Sequence, residues 1–265
     1  MPTLQVTGIN ICPLKSGQKI EVKNASFDPL GIENDRRWAV IDSKTKVVRT
    51  QRNYEKLALV ISGVGPDYIS LSAPGMTELI VPKKGNVTDG FEAKLFSRKV
   101  LVIDQGEKAE KWLSEFLGHD VKLVYQPLDL ARNGIALVDD RPVLIISENS
   151  LNDLNVALKQ RGVERYLMNR FRPNFETAVT KPYQEDEWRE ILIGDVKLEG
   201  KGACERCQLP DIDQALGEYS DPTREIKIVD ILKQHRGTEK AIFGQYFHHM
   251  NVGTVHVGDE IQVLQ

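Results

Sequence analysis

Short apolar runs, each closed by Gly, Pro, Asn or Asp, dominate the first hundred positions. Leu4 to Ile11, Trp38 to Asp42, Leu57 to Val64, Tyr68 to Leu71, Leu79 to Val81 and Val100 to Ile103 are rich in Val, Ile, Leu or Tyr, and each reads as a strand. Strands this short and frequent predict a barrel or sandwich rather than a parallel sheet with regular crossover helices. The period then changes. Ala109, Trp112, Leu113, Phe116 and Leu117 recur at helical spacing, and Gly118 stands where a helix end favours glycine. Val121 to Tyr125 and Val143 to Ile146 read as further strands. The second leads into Ser147-Glu148-Asn149-Ser150, whose side chains can cap a helix carrying Leu151, Leu154 and Leu158. After Pro182 the pattern returns to strands at Trp188 to Ile193, Val196 to Leu198 and Gly253 to Leu264. Ile226 to Leu232 is apolar without a clear period. The expected fold is mixed α/β but β-rich, with a boundary near Gly118 and no internal repeat.

Composition narrows the classes. The chain has 265 residues, 41% apolar and 28% charged, enough for one large or two smaller domains with full cores. A net charge of −3 gives no general pull toward nucleic acid or an anionic membrane, so any anion site must be local. No apolar run approaches the roughly 20 residues of a membrane helix. The N-terminal Met1-Pro2-Thr3-Leu4 stretch lacks the basic-then-apolar pattern of a signal peptide. Three cysteines do not suggest a disulfide scaffold, and a cytoplasmic location is expected.

Two of those cysteines lie close together, in Gly202-Ala203-Cys204-Glu205-Arg206-Cys207. As half a zinc site they need two more ligands, and His119, His235, His248, His249 and His256 offer no second pair at zinc-finger spacing. A thioredoxin-like pair would open a helix, whereas Leu209-Pro210-Asp211 follows here. Two buried thiols are the plain alternative. Cations recur elsewhere. Phe171-Arg172-Pro173-Asn174 places a guanidinium and an amide around a proline, which favours an extended Arg172 with both side chains on one face. That pair suits a phosphate or carboxylate, although Arg172 could equally serve Glu176 or Asp195. Pro13-Leu14-Lys15-Ser16-Gly17 could cradle an anion through backbone N–H groups and the Lys15 charge. In Asp35-Arg36-Arg37-Trp38 the adjacent arginines should face opposite ways.

Taken with Thr50-Gln51-Arg52, Pro142 to Glu148, Leu151 to Asn155, Ile193-Gly194-Asp195-Val196 and Phe243-Gly244-Gln245-Tyr246-Phe247, these stretches resemble, in order, a MOSC-domain protein with the N-terminal β-barrel domain of that family. The branch most resembled is that of the amidoxime-reducing components. The resemblance implies a barrel-like domain over 1–117 and a MOSC β-barrel domain with a few helices over 118–265. It also implies a molybdenum–molybdopterin cofactor with Cys207 as a metal ligand. Lys15, Ser16, Arg36, Arg172 and Asn174 would hold the pterin and its phosphate. Asp140, Arg141, Glu205 and Tyr246 would line the pocket, and Asp213 would be a catalytic second-layer group or proton source. Pyridoxal phosphate binding is a further property associated with the family. The activity implied is reduction of N-hydroxylated compounds. The alternatives are a non-catalytic cofactor carrier or a persulfide carrier on Cys207. No cysteine follows Cys207, so no iron–sulfur cluster is expected after it, and electrons would come from a separate ferredoxin, flavodoxin or cytochrome. Pro210 and Asp211 replace hydroxyl residues of the family pattern, which would bring an acidic charge near the metal.

Overall fold

The computed structural model describes residues 4–85, 87–131 and 137–265. Its main sheet has eight strands in the spatial order Ile20–Val22, Gln5–Ile11, Phe175–Ala178, Val143–Ser147, Ile242–His249, Val196–Glu205, Glu190–Ile193 and Ile261–Val263. Only the pairing of Val143–Ser147 with Phe175–Ala178 is parallel. The sheet curls until its ends nearly meet. Ile261 N–H donates to Leu4 O at 2.8 Å, Val6 N–H donates to Asp259 O at 3.0 Å, and Gln5 bridges Glu260. Its interior is filled by Val6, Ile9, Val143, Ile145, Phe175, Trp188, Ile191, Leu198 and Phe247.

A five-stranded sheet, Phe91–Leu95, Arg98–Asp104, Val121–Tyr125, Trp38–Asp42 and Val48–Arg49, forms the second body. Its Trp38–Asp42 strand is buried on both faces. Trp38 and Val40 pack with Leu57, Ile69, Trp112 and Leu123 on one side, while Ala39 and Ile41 pack with Ala93, Val100 and Val124 on the other. Alternate residues of a strand face opposite ways, so a two-sided core requires a continuous apolar run.

Helix α1, Glu107–Leu117, lies where the periodicity places it. Gly118 ends it at φ 72, its N–H donating to Ser114 O at 2.8 Å. Helix α2, Glu148–Lys159, begins at Ser147, whose Oγ accepts from Ser150 N–H at 3.1 Å. The unassigned apolar run becomes helix α3, Ile228–Arg236. Leu151, Leu154, Ile228 and Leu232 from α2 and α3 pack under Leu144 and Ile146, on the outer face of the main sheet.

Two expectations need correction. Leu57 to Val64 is not one strand: Glu55–Leu59 forms a 3₁₀ turn that buries Leu57 and Ala58, and the strand begins at Ile61. Gly253 to Leu264 divides into Thr254–His256, which pairs with Asn24–Asp28, and Ile261–Val263, because the chain turns through Gly258 at φ 95. Strands also cross between the halves on either side of Gly118. Gln5–Ile11 and Ile20–Val22 belong to the sheet of the C-terminal half, and Val121–Tyr125 pairs with Trp38–Asp42. Sharing strands in this way buries apolar faces that neither half would cover alone.

Candidate cofactor cleft

Six chain segments converge where the two sheets meet, and they enclose a cleft of about 750 Å³ counting its open mouth. The loop after Gln5–Ile11 brings Lys15 and Ser16, and the lead-in to Trp38 brings Arg36. Asp139, Asp140 and Arg141 precede the Val143–Ser147 strand. The turn after Met168–Arg170 carries Phe171, Arg172 and Asn174. The end of the Val196–Glu205 strand delivers Cys204 to Cys207, with Tyr246 from the neighbouring strand beside them. All ten residues assigned to cofactor or metal thus line one cavity: Lys15, Ser16, Arg36, Asp140, Arg141, Arg172, Asn174, Glu205, Cys207 and Tyr246.

Asp213 does not line it. Its Oδ2 accepts from Arg170 Nη2 at 2.6 Å, and its Oδ1 accepts from Ala215 N–H at 2.8 Å. Asp213 therefore reaches the cleft only through Arg170, which does line the wall. Asp211 is corrected as well. It is buried and turned from the cavity, accepting from Tyr166 Oη at 3.0 Å and from the Ile228 N–H that opens α3 at 2.9 Å. Burial lifts its carboxyl to about 6, against the two hydrogen bonds that favour the charged form. Pro210, by contrast, is part of the wall.

The floor is an ionic knot. Asp35, fully enclosed, accepts from Cys12 N–H at 2.7 Å, from Asn174 Nδ2 at 3.1 Å and from Arg36 Nη1. Asn174 Oδ1 accepts in turn from Leu144 N–H at 3.1 Å. Lys15 Nζ donates to Leu137 O at 2.8 Å and pairs with Asp139. Burial, with Arg36 and Arg172 nearby, lowers the Lys15 ammonium below its usual range despite that partner. Burial works to raise the Asp139 carboxyl, but the Lys15 charge and hydrogen bond prevail and hold it near 2. The two arginines of Asp35-Arg36-Arg37 do diverge: Arg36 faces the cleft and Arg37 pairs with Asp28.

Backbone conformation marks the same place. Ser16, Arg36 and Arg172 adopt φ of 68°, 52° and 57°, a region that favours glycine. Residues held there cost stability and collect at functional sites. The extended geometry expected for Arg172 is not found, because its N–H closes the preceding turn onto Met168 O at 3.3 Å. Nor does Arg172 serve Glu176 or Asp195. Its Nη1 donates to Gly17 O at 2.7 Å. The Lys15–Gly17 loop offers less backbone than expected, since Lys15 N–H is taken by Trp38 O and Gly17 N–H by Leu14 O. Its contribution is the Lys15 charge.

The cysteines differ in role. Cys204 is buried in the core of α2 and α3 against the Tyr246 hydroxyl, and burial pushes its thiol upward. Cys207 is exposed, its Sγ accepting from Leu209 N–H at 3.5 Å. Among the described residues no cluster of three or more His, Cys, Asp and Glu could hold a metal, so a zinc site finds no further ligands. The strand that ends at Glu205 and the 3₁₀ turn after Cys207 also lack the helix of a thioredoxin-like pair.

Several wall residues escaped the sequence reading, notably Asp139, Arg170 and Arg206. Arg206 lies between the cysteines, and its position there was the available signal. Its Nε donates to Phe243 O at 2.8 Å and its Nη1 to Phe171 O at 3.0 Å, so it braces the cysteine loop across both rings. The cleft holds six cationic side chains (Lys15, Arg36, Arg141, Arg170, Arg172, Arg206) against three acids (Asp139, Asp140, Glu205), in a chain of net charge −3. Arg172 Nη2 and Arg206 Nη2 are buried without a hydrogen-bond partner. An unpaired buried donor costs about 1–3 kcal/mol, more when charged. A cationic wall with two spare donors and one open thiolate-forming side chain fits an anionic, metal-bearing group.

Fold and cleft together define a two-part, β-rich protein with a cationic cleft where its sheets meet. The model for the MOSC N-terminal beta barrel domain matches residues 3–120, and that for the MOSC domain matches residues 132–262. The chain is 31% identical to mitochondrial amidoxime-reducing component 1 of Mus musculus, over 96% of this chain and 80% of that protein. It is 32% identical to the Homo sapiens protein of the same name, over 96% of this chain and 81% of that one. It is 27% identical to molybdenum cofactor sulfurase of Bos taurus, over 93% of this chain but 30% of that longer protein. The chain belongs to the MOSC-domain family, in the branch of the amidoxime-reducing components.

Proposed function

We propose that this protein is a molybdenum-cofactor-dependent reductase of N-hydroxylated compounds, amidoximes and hydroxylamines, supplied with electrons by a separate donor protein. One observation carries the reading: the exposed Cys207 thiol opens into a cationic cleft whose Arg172 and Arg206 each keep a buried N–H unpaired. When bound there, the cofactor supplies the two-electron, oxygen-accepting chemistry.

The chain's own residues bind, orient and exclude water. Cys207 is the metal ligand, and its loop is braced by Arg206 on the carbonyls of Phe171 and Phe243. Lys15, Arg36 and Arg172 neutralise phosphate and pterin charge, with Ser16 and Asn174 adding polar contacts. Asp35 fixes Arg36 and Asn174 in place. Tyr246, whose hydroxyl burial holds protonated well above neutral pH, sets that hydroxyl against Cys204 and forms part of the cleft wall beside Cys207. Asp140, Arg141 and Glu205 line the substrate side. Asp213 acts at one remove, by holding Arg170.

The test uses protein produced with cofactor synthesis intact. Reduced methyl viologen and benzamidoxime should give benzamidine at a rate that follows molybdenum content, and Cys207→Ser should abolish it. Fully loaded protein without turnover would reject the reductase reading and leave a cofactor carrier.

A further inference from the structure

We infer that the carboxamides of Gln51 and Gln214 form a strut that sets how far the Lys15–Gly17 loop stands from the Cys207 loop. The inference rests on the reductase reading, in which one cofactor touches both loops, and adds what fixes their spacing. Neither glutamine lines the cleft, and both are buried. They are positioning residues. Their amides bond reciprocally: Gln51 Nε2 donates to Gln214 Oε1 at 2.9 Å, and Gln214 Nε2 donates to Gln51 Oε1 at 3.0 Å. The second N–H of Gln51 goes to Ser16 O at 2.9 Å, and that of Gln214 goes to Ile212 O at 3.1 Å. Both outer partners are carbonyls, which only accept, so neither amide can be turned over. Every amide N–H is used.

Each end of this unit reaches an arginine of the cleft wall. At one end, Ser16 lines the cleft beside Gly17, whose carbonyl accepts from Arg172 Nη1 at 2.7 Å. At the other, Asp213 lies between Ile212 and Gln214 and accepts from Arg170 Nη2 at 2.6 Å. Gln214 itself follows Cys207 after a single 3₁₀ turn, Leu209–Asp211. Among the described residues Arg172 and Arg206 bond carbonyls rather than acids, so no direct partner cancels their charge. The carbonyl that seats Arg172 belongs to the loop that Gln51 holds. A ligand gripped at two points loses affinity when their spacing is not fixed, even if each contact survives. The strut supplies that spacing.

The experiment reads the spacing in apo-protein through the Cys207 thiol. A dianionic dithiobis(nitrobenzoate) is compared with a neutral dithiodipyridine. In both, the thiolate attacks the disulfide, a mixed disulfide forms and an aromatic thiolate leaves. Their rate ratio divides out thiol reactivity and reports how closely the positive wall faces Cys207. Gln51→Met and Gln214→Met should each lower this ratio about threefold, because the wall is no longer held against the thiol. Each single variant strands the other buried amide, whereas the double variant removes both, so it should melt no lower than either single. Its ratio should nevertheless stay low. Molybdenum and pterin per chain should fall in all three variants. Ratios equal to wild type, or a ratio that recovers with the melting temperature in the double variant, would overturn the inference even if wild type loads cofactor and reduces benzamidoxime. Ratios that fall as expected in a protein that takes up no molybdenum would keep the strut and remove the reductase.

Discussion

Arg172 Nη1 donates to Gly17 O at 2.7 Å, joining the turn before Pro173 to the loop after the first strand, 155 residues away. This bond spends one side of the guanidinium on holding the two sheets together and leaves Nη2 buried without a partner. The same side chain therefore braces the Lys15–Gly17 loop and lines the cleft wall.

Arg172→Gly separates these effects, because glycine accepts the φ of 57° without strain. Molybdenum and pterin per chain should fall at least about tenfold, the equivalent of one charge-assisted hydrogen bond worth roughly 1.5–3 kcal/mol. Arg172→Lys should not restore them, since an ammonium cannot fork between Gly17 and a ligand. Elemental analysis of purified protein gives the answer, and full loading of either variant would remove Arg172 from the cofactor site.

Asp35 makes a second joint. Removing it leaves Arg36 and Asn174 without their shared acceptor and the Cys12 N–H unpaired in the interior. Asp35→Ala should cost about 3–5 kcal/mol, the range for breaking a buried pair from one side. Urea unfolding monitored by tryptophan fluorescence measures this, and a loss below about 1 kcal/mol would show that the knot adds little.

Asp211 gives the fold a pH signature. Its carboxyl is raised from 3.8 to about 6, so between those values the folded chain retains a proton that the unfolded chain has released. The associated stability is complete below about pH 4 and disappears as pH rises through about 6. Asp211→Asn keeps an acceptor for Tyr166 and Ile228 but cannot titrate. The wild-type minus variant difference in melting temperature should therefore decline between about pH 4 and pH 7. A flat difference would place the Asp211 carboxyl at its ordinary value.

The cysteines should be separable by chemistry. In native apo-protein only Cys207 is exposed, while Cys12 and Cys204 are enclosed. One thiol per chain should react quickly with an aromatic disulfide reagent, and Cys207→Ser should remove that phase with little change in stability. Cys204→Ser places a hydroxyl in the α2–α3 core and should destabilise by about 1–2 kcal/mol. Two fast thiols in wild type would contradict the burial of Cys204.

Much of this architecture could be read from sequence wherever one period governed a segment. Helix α1 announces itself through Ala109, Trp112, Leu113 and Leu117, and α2 through its Ser147 cap. Ile242–His249, at the centre of the main sheet, did not register as a strand. Gly244 interrupts it at φ 82, and Gln245 and the two histidines break the alternation. The glycine is required because a Cβ there would lie 2.9 Å from Ile145 O, on the paired strand. The long strand reaching Cys204 was foreseen only to Leu198, since two register shifts, at Gly200/Gly202 and Ala203/Glu205, disrupt its pattern. The site was legible through ordered short motifs rather than through any one of them. Asp211 was misplaced because sequence distance from Cys207 does not tell which way a 3₁₀ turn aims its carboxylate.

The strand Gln5–Ile11 can pair early with Ile20–Val22, but its other edge stays open until Phe175–Ala178 has been made. At a ribosomal pace of about 5–20 residues per second, this delay is roughly 10–30 s of exposed apolar edge during synthesis. Loading must follow later still, because the wall carrying Cys207 and Tyr246 is translated last. A cell producing this protein must keep a nascent β-edge from aggregating, and the proposed function adds that any cofactor would have to reach a finished chain.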